Sequence, residues 1–212
     1  PALRQDAPRA DSGNIMRFAC WTFCAALLAF AAPAAAQNAA DRTFGPARVG
    51  AIVKGVTKPD DLARIYGAAN VKIAKMTPSD GGEEESPGAF VHHMTDDALQ
   101  IRFSDDGKRI LTITILGKNW KSKEGLRLGT PIDQLERING GPFQLYGFGW
   151  DFGGQVFASG RALRTYEIFL APTVDGGSAR GQVTGEGKFS SRHPAMKVLR
   201  PEVNLITVTF GR

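Results

Sequence analysis

Residues 125–154 read GLRLGTPIDQLERINGGPFQLYGFGWDFGG and divide into two unlike parts. The first has the punctuation of a short helix. Thr130 stands where a cap is expected, Pro131 at the first helical position, Asp133 three residues after the cap, and Gly140-Gly141-Pro142 at the exit. A cap oxygen satisfies N–H groups of the first turn, and glycine supplies the left-handed residue that ends a helix. Ile132, Leu135 and Ile138 fall on one side as its apolar stripe. The second part alternates Tyr146, Phe148, Trp150 and Phe152 with Gly147, Gly149, Asp151 and Gly153.

The helical part has an echo upstream. Displaced by 73 positions, VTKPDDLARIYG (56–67) lies on GTPIDQLERING (129–140). Thr57/Thr130, Asp60/Asp133, Leu62/Leu135, Arg64/Arg137, Ile65/Ile138 and Gly67/Gly140 are identical. Thr57 caps the first helix in this reading, Leu62, Ile65 and Tyr66 form its stripe, and Gly67 stops it. Cap, stripe and stop recur in register, the mark of an internal duplication.

Each helix precedes strand-like segments. After the first come 71–76, 90–94, 98–103 and 109–116, with a weak strand at 49–53 before it. Leu99, Ile101 and Phe103 alternate with Gln100 and Arg102, and Asp105-Asp106-Gly107-Lys108 supplies hairpin chemistry. After the second come 143–146, 155–158, 164–170 and 204–210, rich in β-branched and aromatic residues. Residues 77–88 and 172–194 read as loops. The expected fold is α+β: two tandem repeats, 44–120 and 121–212, each a short helix followed by about four antiparallel strands. Together they form one extended sheet with helices on one face.

The N-terminus reads as an export signal. Met16-Arg17, the apolar run 18–30 and Ala34-Ala35-Ala36 stand in the order of a secretory signal peptide cleaved after Ala36. Residues 1–15 read as a non-structural upstream segment. The expected location is periplasmic or secreted, with no stable membrane insertion after cleavage. Cys20 and Cys24 both lie in the signal and neither sits in a lipobox. Without Arg4, Arg9, Arg17, Asp6 and Asp11 the net charge falls from +5 to +4. So mild a balance argues against nucleic acid as a partner. Lys118, Lys121, Lys123 and Arg127 form the one basic group, which reads as a solvated loop, as does the acidic run Glu83-Glu84-Glu85.

The segment EGLRLGTPIDQLERINGGPF followed by LYGFGWDFGG, with its upstream echo, resembles the β-lactamase-inhibitor-protein-like fold over about residues 44–212. It is also similar to uncharacterised exported bacterial proteins on that plan, and a single unit is similar to the small lipoprotein of the outer-membrane β-barrel assembly machinery. The resemblance implies binding of other proteins through a sheet surface or loops, and it brings no catalytic residues. The chain lacks the lipoprotein's lipobox cysteine and the inhibitor's disulfide cysteines.

Tyr146, Phe148, Trp150, Asp151 and Phe152 are the candidate binding residues. Extended, the four rings would share one face, with glycines opposite that admit a close backbone. One alternative is an aromatic platform for a protein loop or a sugar. The other is core beneath a helix, with the glycines permitting a bend. No catalytic or metal site and no cofactor are expected. His92-His93 would point to opposite faces of a strand. His193 near serines lacks a nucleophile-elbow context, and Gly147-Phe148-Gly149 does not open a helix as a dinucleotide loop does. The expected function is therefore non-enzymatic binding of another exported or envelope protein; the alternative is a small-ligand or glycan-binding module around Trp150.

Overall fold

The computed structural model describes residues 40–76, 85–158 and 160–211. The upstream segment, the signal with both its cysteines, and Glu83 and Glu84 lie outside them. The order is β1 (Thr43–Gly45), β2 (Arg48–Val49), β3 (Ile52–Val53), α1 (Asp61–Tyr66), β4 (Val71–Met76), β5 (Ser86–Val91), β6 (Leu99–Phe103) and β7 (Ile110–Ile115). Then follow β8 (Lys121–Ser122), α2 (Ile132–Asn139), β9 (Gln144–Tyr146), β10 (Val156–Phe157), β11 (Tyr166–Ala171), α3 (Ser178–Gly181), β12 (Lys188–Ser190), α4 (Pro194–Leu199) and β13 (Glu202–Thr209). The class is α+β. Among the described residues no helix is long and apolar enough to cross a membrane.

The first half has the expected helix followed by four strands. After α1, β4 to β7 pair consecutively and antiparallel. Leu99, Ile101 and Phe103 are buried while Gln100 and Arg102 are half-exposed, as the alternation requires. At the β6–β7 turn, Gly107 takes φ +69°, Lys108 N donates to Asp106 Oδ1 at 3.1 Å, and Ser104 N donates to the Arg109 carbonyl at 2.9 Å.

A single extended sheet is not what forms. Three sheets do: β3-β2-β1-β8, β10-β9-β12, and the six-stranded β11-β13-β7-β6-β5-β4. The second half supplies only β11 and β13 to the large sheet. The break falls at β10, which is two residues long; only Gln155, just before it, bridges to β11, at Phe169. The end of the turn is tied to β11 by Leu170 N donating to the Gly154 carbonyl at 2.9 Å, while Val156 and Phe157 pair instead with β9. The short parallel pairing of β1 with β8 links residue 43 to residue 121 across the expected repeat boundary.

Smaller corrections follow the same logic. Residues 172–194 are not one loop; they contain α3 and β12 and end where α4 begins. Val183 is fully buried there, and Phe189 packs against the core. β5 begins at Ser86, inside the expected loop 77–88, and stops at Val91. Segment 49–53 is two strands, parted by a turn at Gly50. Neither threonine caps its helix. Thr57 Oγ1 accepts from Val53 N, and Thr130 Oγ1 accepts from Arg127 N, so each closes the turn upstream. The stops hold: Gly67 and Gly140 have φ +85° and +82°. Leu62 and Leu135 are fully buried, with Ile65 and Ile138 half-buried on the same core.

That core runs unbroken from Phe44 to Phe210. Its centre is the β7–β13 pairing, where Ile113, Ile115, Ile206 and Val208 line one face. On the other, the hydroxyls of Thr114 and Thr207 meet at 3.1 Å, both buried. A second anchor joins the first strand layer to the β5–β6 loop. Arg42 Nη2 donates to Asp97 Oδ2 at 2.8 Å, Asn119 Nδ2 to Asp97 Oδ1 at 2.8 Å, and the fully buried Trp120 donates Nε1 to the Asp97 carbonyl at 3.0 Å. The Arg42 guanidinium beside Asp97, aided by Asn119, draws that carboxyl down to about 2.

Two stability outcomes follow. Thr207→Val orphans a buried hydroxyl and is expected to cost about 1 kcal/mol, whereas Thr114→Val with Thr207→Val together lies close to wild type. Urea midpoints of the four-member cycle read this, and additive losses would contradict it. Asp97 has a depressed folded pKa, so its contribution is complete above its ordinary value of 3.8 and fades as pH falls toward 2. Asp97→Asn should therefore cost about 1–2 kcal/mol at neutral pH, discounted for partial exposure, with the difference from wild type shrinking below pH 4. A difference independent of pH down to 2 would contradict the assignment.

Candidate functional site

β9 is the middle strand of the small sheet, so its alternation sets what that sheet shows to solvent. Leu145 is fully buried, and Val156 and Phe189, opposite it on β10 and β12, are half-buried with it. The other face carries Gln144 and Tyr146 on β9, Phe157 on β10, and Lys188 and Ser190 on β12. Phe157 is 37% exposed.

Beyond Tyr146 the aromatic–glycine stretch is not a straight strand. Phe148 still pairs, its N–H donating to the Val183 carbonyl at 2.8 Å. Gly149 then takes φ +89° and the chain turns. Trp150 Nε1 donates back to the Gly147 carbonyl at 3.0 Å, Gly153 N donates to the Trp150 carbonyl at 2.9 Å, and Gln155 N donates to the Phe152 carbonyl at 3.0 Å. Gly154 N and Tyr146 N close the loop on the Tyr146 and Gln155 carbonyls. The glycines do both things expected of them. Gly149 and Gly154 permit the bend with positive φ, and Gly147 lets another backbone in, since a Cβ there would lie 2.5 Å from the Gly185 carbonyl oxygen.

The bend separates the rings that an extended strand would align. Phe148, 3% exposed, belongs to the core. Tyr146, Trp150 and Phe152 stay together outside it, half-buried. Tyr146 and Trp150 meet edge to face at 5.0 Å, and Trp150 and Phe152 at 5.2 Å. Asp151 is exposed at the turn. Two members of the cluster were not among the sequence candidates. Phe157 meets Tyr146 edge to face at 4.7 Å, and Lys188 Nζ stands 4.1 Å from the Phe157 ring centre and 5.5 Å from that of Tyr146. Strand alternation at 155–158 places Phe157 on this face; nothing local marks Lys188.

Next to the aromatic face runs a groove of about 820 Å³ between α2, α4 and the start of β13. Pro131, Ile132, Met196 and Pro201 give it an apolar lining, and its rim mixes Asp133, Glu136 and Glu202 with Arg192, Lys197 and Arg200. Glu136 accepts from Ser191 Oγ and, at 3.4 Å, from Arg192 Nε. Ser190 borders a hollow shared with Phe157 and Gln144, and Ser191 and Arg192 border the groove. The two surfaces therefore adjoin through three consecutive residues.

The histidines take structural places. β5 ends before His92, which has φ +48° and stacks edge-on against Tyr66 at 5.6 Å; His93 lies against Phe90 at 4.6 Å. Burial first, then Arg42, lowers the His92 pKa. His193 Nδ1 accepts from Ala195 N at 3.2 Å and caps α4, while the buried Ser191 hydroxyl is taken by Glu136 and the Phe143 N–H. Among the described residues no three His, Cys, Asp or Glu side chains gather as metal ligands.

No family model matches the chain, and no curated protein matches it. Among solved structures it is similar to the uncharacterized protein yfeY from Escherichia coli, at 16% identity over 66% of this chain and 78% of that one, with a TM-score of 0.37. That similarity is too distant to carry an argument about the site.

The glycine logic is testable at Gly154. It has φ +83°, and a Cβ there would collide with the Leu170 carbonyl oxygen. Gly154→Ala should cost roughly 2–4 kcal/mol from backbone strain and steric displacement. A thermal midpoint equal to wild type would show that the turn is not held this way.

Proposed function

We propose that this chain is an exported, non-enzymatic protein-binding domain, and that its partner lies on the aromatic face and the adjoining groove. The observation that carries the reading is their continuity. Ser190, beside Phe157 of the aromatic cluster, is followed along the chain by Ser191 and Arg192, which line an apolar groove with a rim of both charge signs. Protein interfaces are built this way, with aromatic and arginine anchors at the centre and polar groups around them. The signal-like N-terminal sequence supports a reading in which the domain works in the periplasm or outside the cell on an envelope or exported protein.

The glycan alternative is the weaker of the two. Stacking a sugar needs an open ring face, and the Lys188 ammonium lies over one face each of Phe157 and Tyr146. The remaining contacts are edge to face, which makes a ridged surface rather than a platform.

We also infer that the two halves are a diverged duplication on the β-lactamase-inhibitor-protein-like plan. The matched fates of Leu62/Leu135, Ile65/Ile138 and Gly67/Gly140 support it. So does the sheet order. Outward from the β7–β13 seam, β6, β5 and β4 on one side answer to β11, β10 and β9 on the other, the second series broken only between β11 and β10.

The test is crosslinking in intact cells from a photoreactive residue at Gln144, with capture compared between wild type, Phe157→Ala and Arg192→Glu. A discrete protein adduct is expected, reduced at least about tenfold by each substitution while the circular dichroism is unchanged. An adduct indifferent to both changes would sink the assignment. Saturable binding of an oligosaccharide, abolished by Trp150→Ala, would favour the alternative.

A further inference from the structure

A second surface, remote in sequence from the aromatic cluster, has a simpler chemistry. A pocket of about 290 Å³ lies where the β3–α1 loop, the β6–β7 hairpin and the end of β13 meet. Lys54, Lys58, Lys108 and Arg109 line it, and its apolar part comes from Ile110, Leu111 and Phe210. No acidic residue lines it. Among the described residues none of the four cations has a carboxylate within 4.0 Å. Asp61 and Asp106 lie near in sequence and feel the charges of Lys58 and of Lys108 and Arg109, but neither lines the pocket and each has its own hydrogen bonds. Asp61 is held by Arg64 at 2.9 Å and by the Lys58 N–H, and Asp106 by Ser104 and the Lys108 N–H.

The walls are fixed by hydrogen bonds. Val53 N donates to Thr57 Oγ1 at 2.9 Å, and Thr57 N donates to the Val53 carbonyl at 3.0 Å, closing the loop that carries Lys54. Ser104 Oγ and the Arg109 backbone lock the hairpin that carries Lys108. Phe210 N and Gly211 N both donate to the Leu111 carbonyl, at 2.7 and 3.2 Å. Four basic residues on hydrogen-bonded segments thus line one hollow. They repel one another unless an anion joins them, and a preorganised site loses little entropy when one does.

We propose that this pocket binds a phosphate-bearing anion that carries an apolar group. One carboxylate is too little charge for four cations. A phosphomonoester or pyrophosphate offers two or more negative charges and enough acceptor oxygens for the Arg109 fork and several ammonium groups. The apolar side of the pocket receives the rest of the ligand. A soluble phosphoester and a phospholipid headgroup share this chemistry. The site is independent of the partner surface around Phe157.

The experiment is titration calorimetry of the mature chain with inorganic pyrophosphate and with phenyl phosphate. Saturable one-site binding that weakens as salt rises is expected. Lys54→Gln with Lys58→Gln, and separately Lys108→Gln with Arg109→Gln, should each weaken it at least about tenfold with the thermal midpoint kept. Neutralising Lys118, Lys121 and Lys123 together should leave it unchanged. Absence of saturable binding to either probe overturns the proposal, as does an equal loss in that control, which would mean attraction by net charge alone. Flotation with vesicles of anionic phospholipid identifies the source. Vesicle binding displaced by pyrophosphate supports the site with a headgroup as ligand, and pyrophosphate binding without vesicle binding supports it with a soluble one. Vesicle binding that pyrophosphate does not displace overturns it.

Discussion

The large sheet depends on one seam. β13 lies antiparallel on β7, with residues 206–209 opposite 115–112, and this pairing joins the two strands of the second half to the four of the first. β7 carries the β4–β6 meander on one side and β13 carries β11 on the other. Thr114 and Thr207, which mark the seam, are 93 residues apart in the chain. Closing so long a loop is entropically costly and is compensated only when the contacts on both sides are made. Four aliphatic residues provide that on one face. The paired hydroxyls fix the register on the other, because a one-residue slip of β13 would turn Thr207 into the aliphatic layer and leave Thr114 facing an aliphatic side chain.

Much of this was legible in the sequence because it is periodic. Alternation at 99–103 and the stripes at Leu62/Ile65 and Leu135/Ile138 report burial directly, and burial dominates the energetics. What failed was anything decided at a distance. Thr130 looks like a helix cap, yet Pro131 follows it and the helix begins only at Ile132. The Ile132 N–H is satisfied by the Pro201 carbonyl beside β13, so the cap is tertiary and the threonine is free to close the preceding turn. The single extended sheet failed for a similar reason. Whether β10 joins β11 depends on how Gly154 packs against Leu170, which no local pattern records.

The candidate site was half legible. Tyr146, Trp150 and Phe152 do gather, but the assumption of a straight strand put Phe148 with them, and Gly149 sends it inward. Lys188 was hidden because 172–194 has the composition of a loop. β12 is a strand only by virtue of its pairing with β9, and in three residues it shows one apolar side chain, Phe189. The basic pocket was invisible for a stronger version of the same reason. Its cations come from residues 54–58 and 108–109, and the sole basic cluster readable along the chain, at 118–127, is a different one.

The division of the rings also answers an energetic objection to a wet aromatic surface. Four exposed rings would be a large apolar area to leave in water. Here one ring enters the core, and three others with Phe157 cover parts of one another edge to face, each such pair contributing about 0.5–1.5 kcal/mol beyond its area. Lys188 shields two of them further. The cluster is therefore stable without a partner and still half-open to one. Because Phe148 and Leu145 do the anchoring, the outer rings can vary without unfolding the sheet. Core packing and the outer aromatic cluster are thus drawn from neighbouring residues of one short strand and its turn, and it is the glycine bend at 149 that keeps the two sets apart.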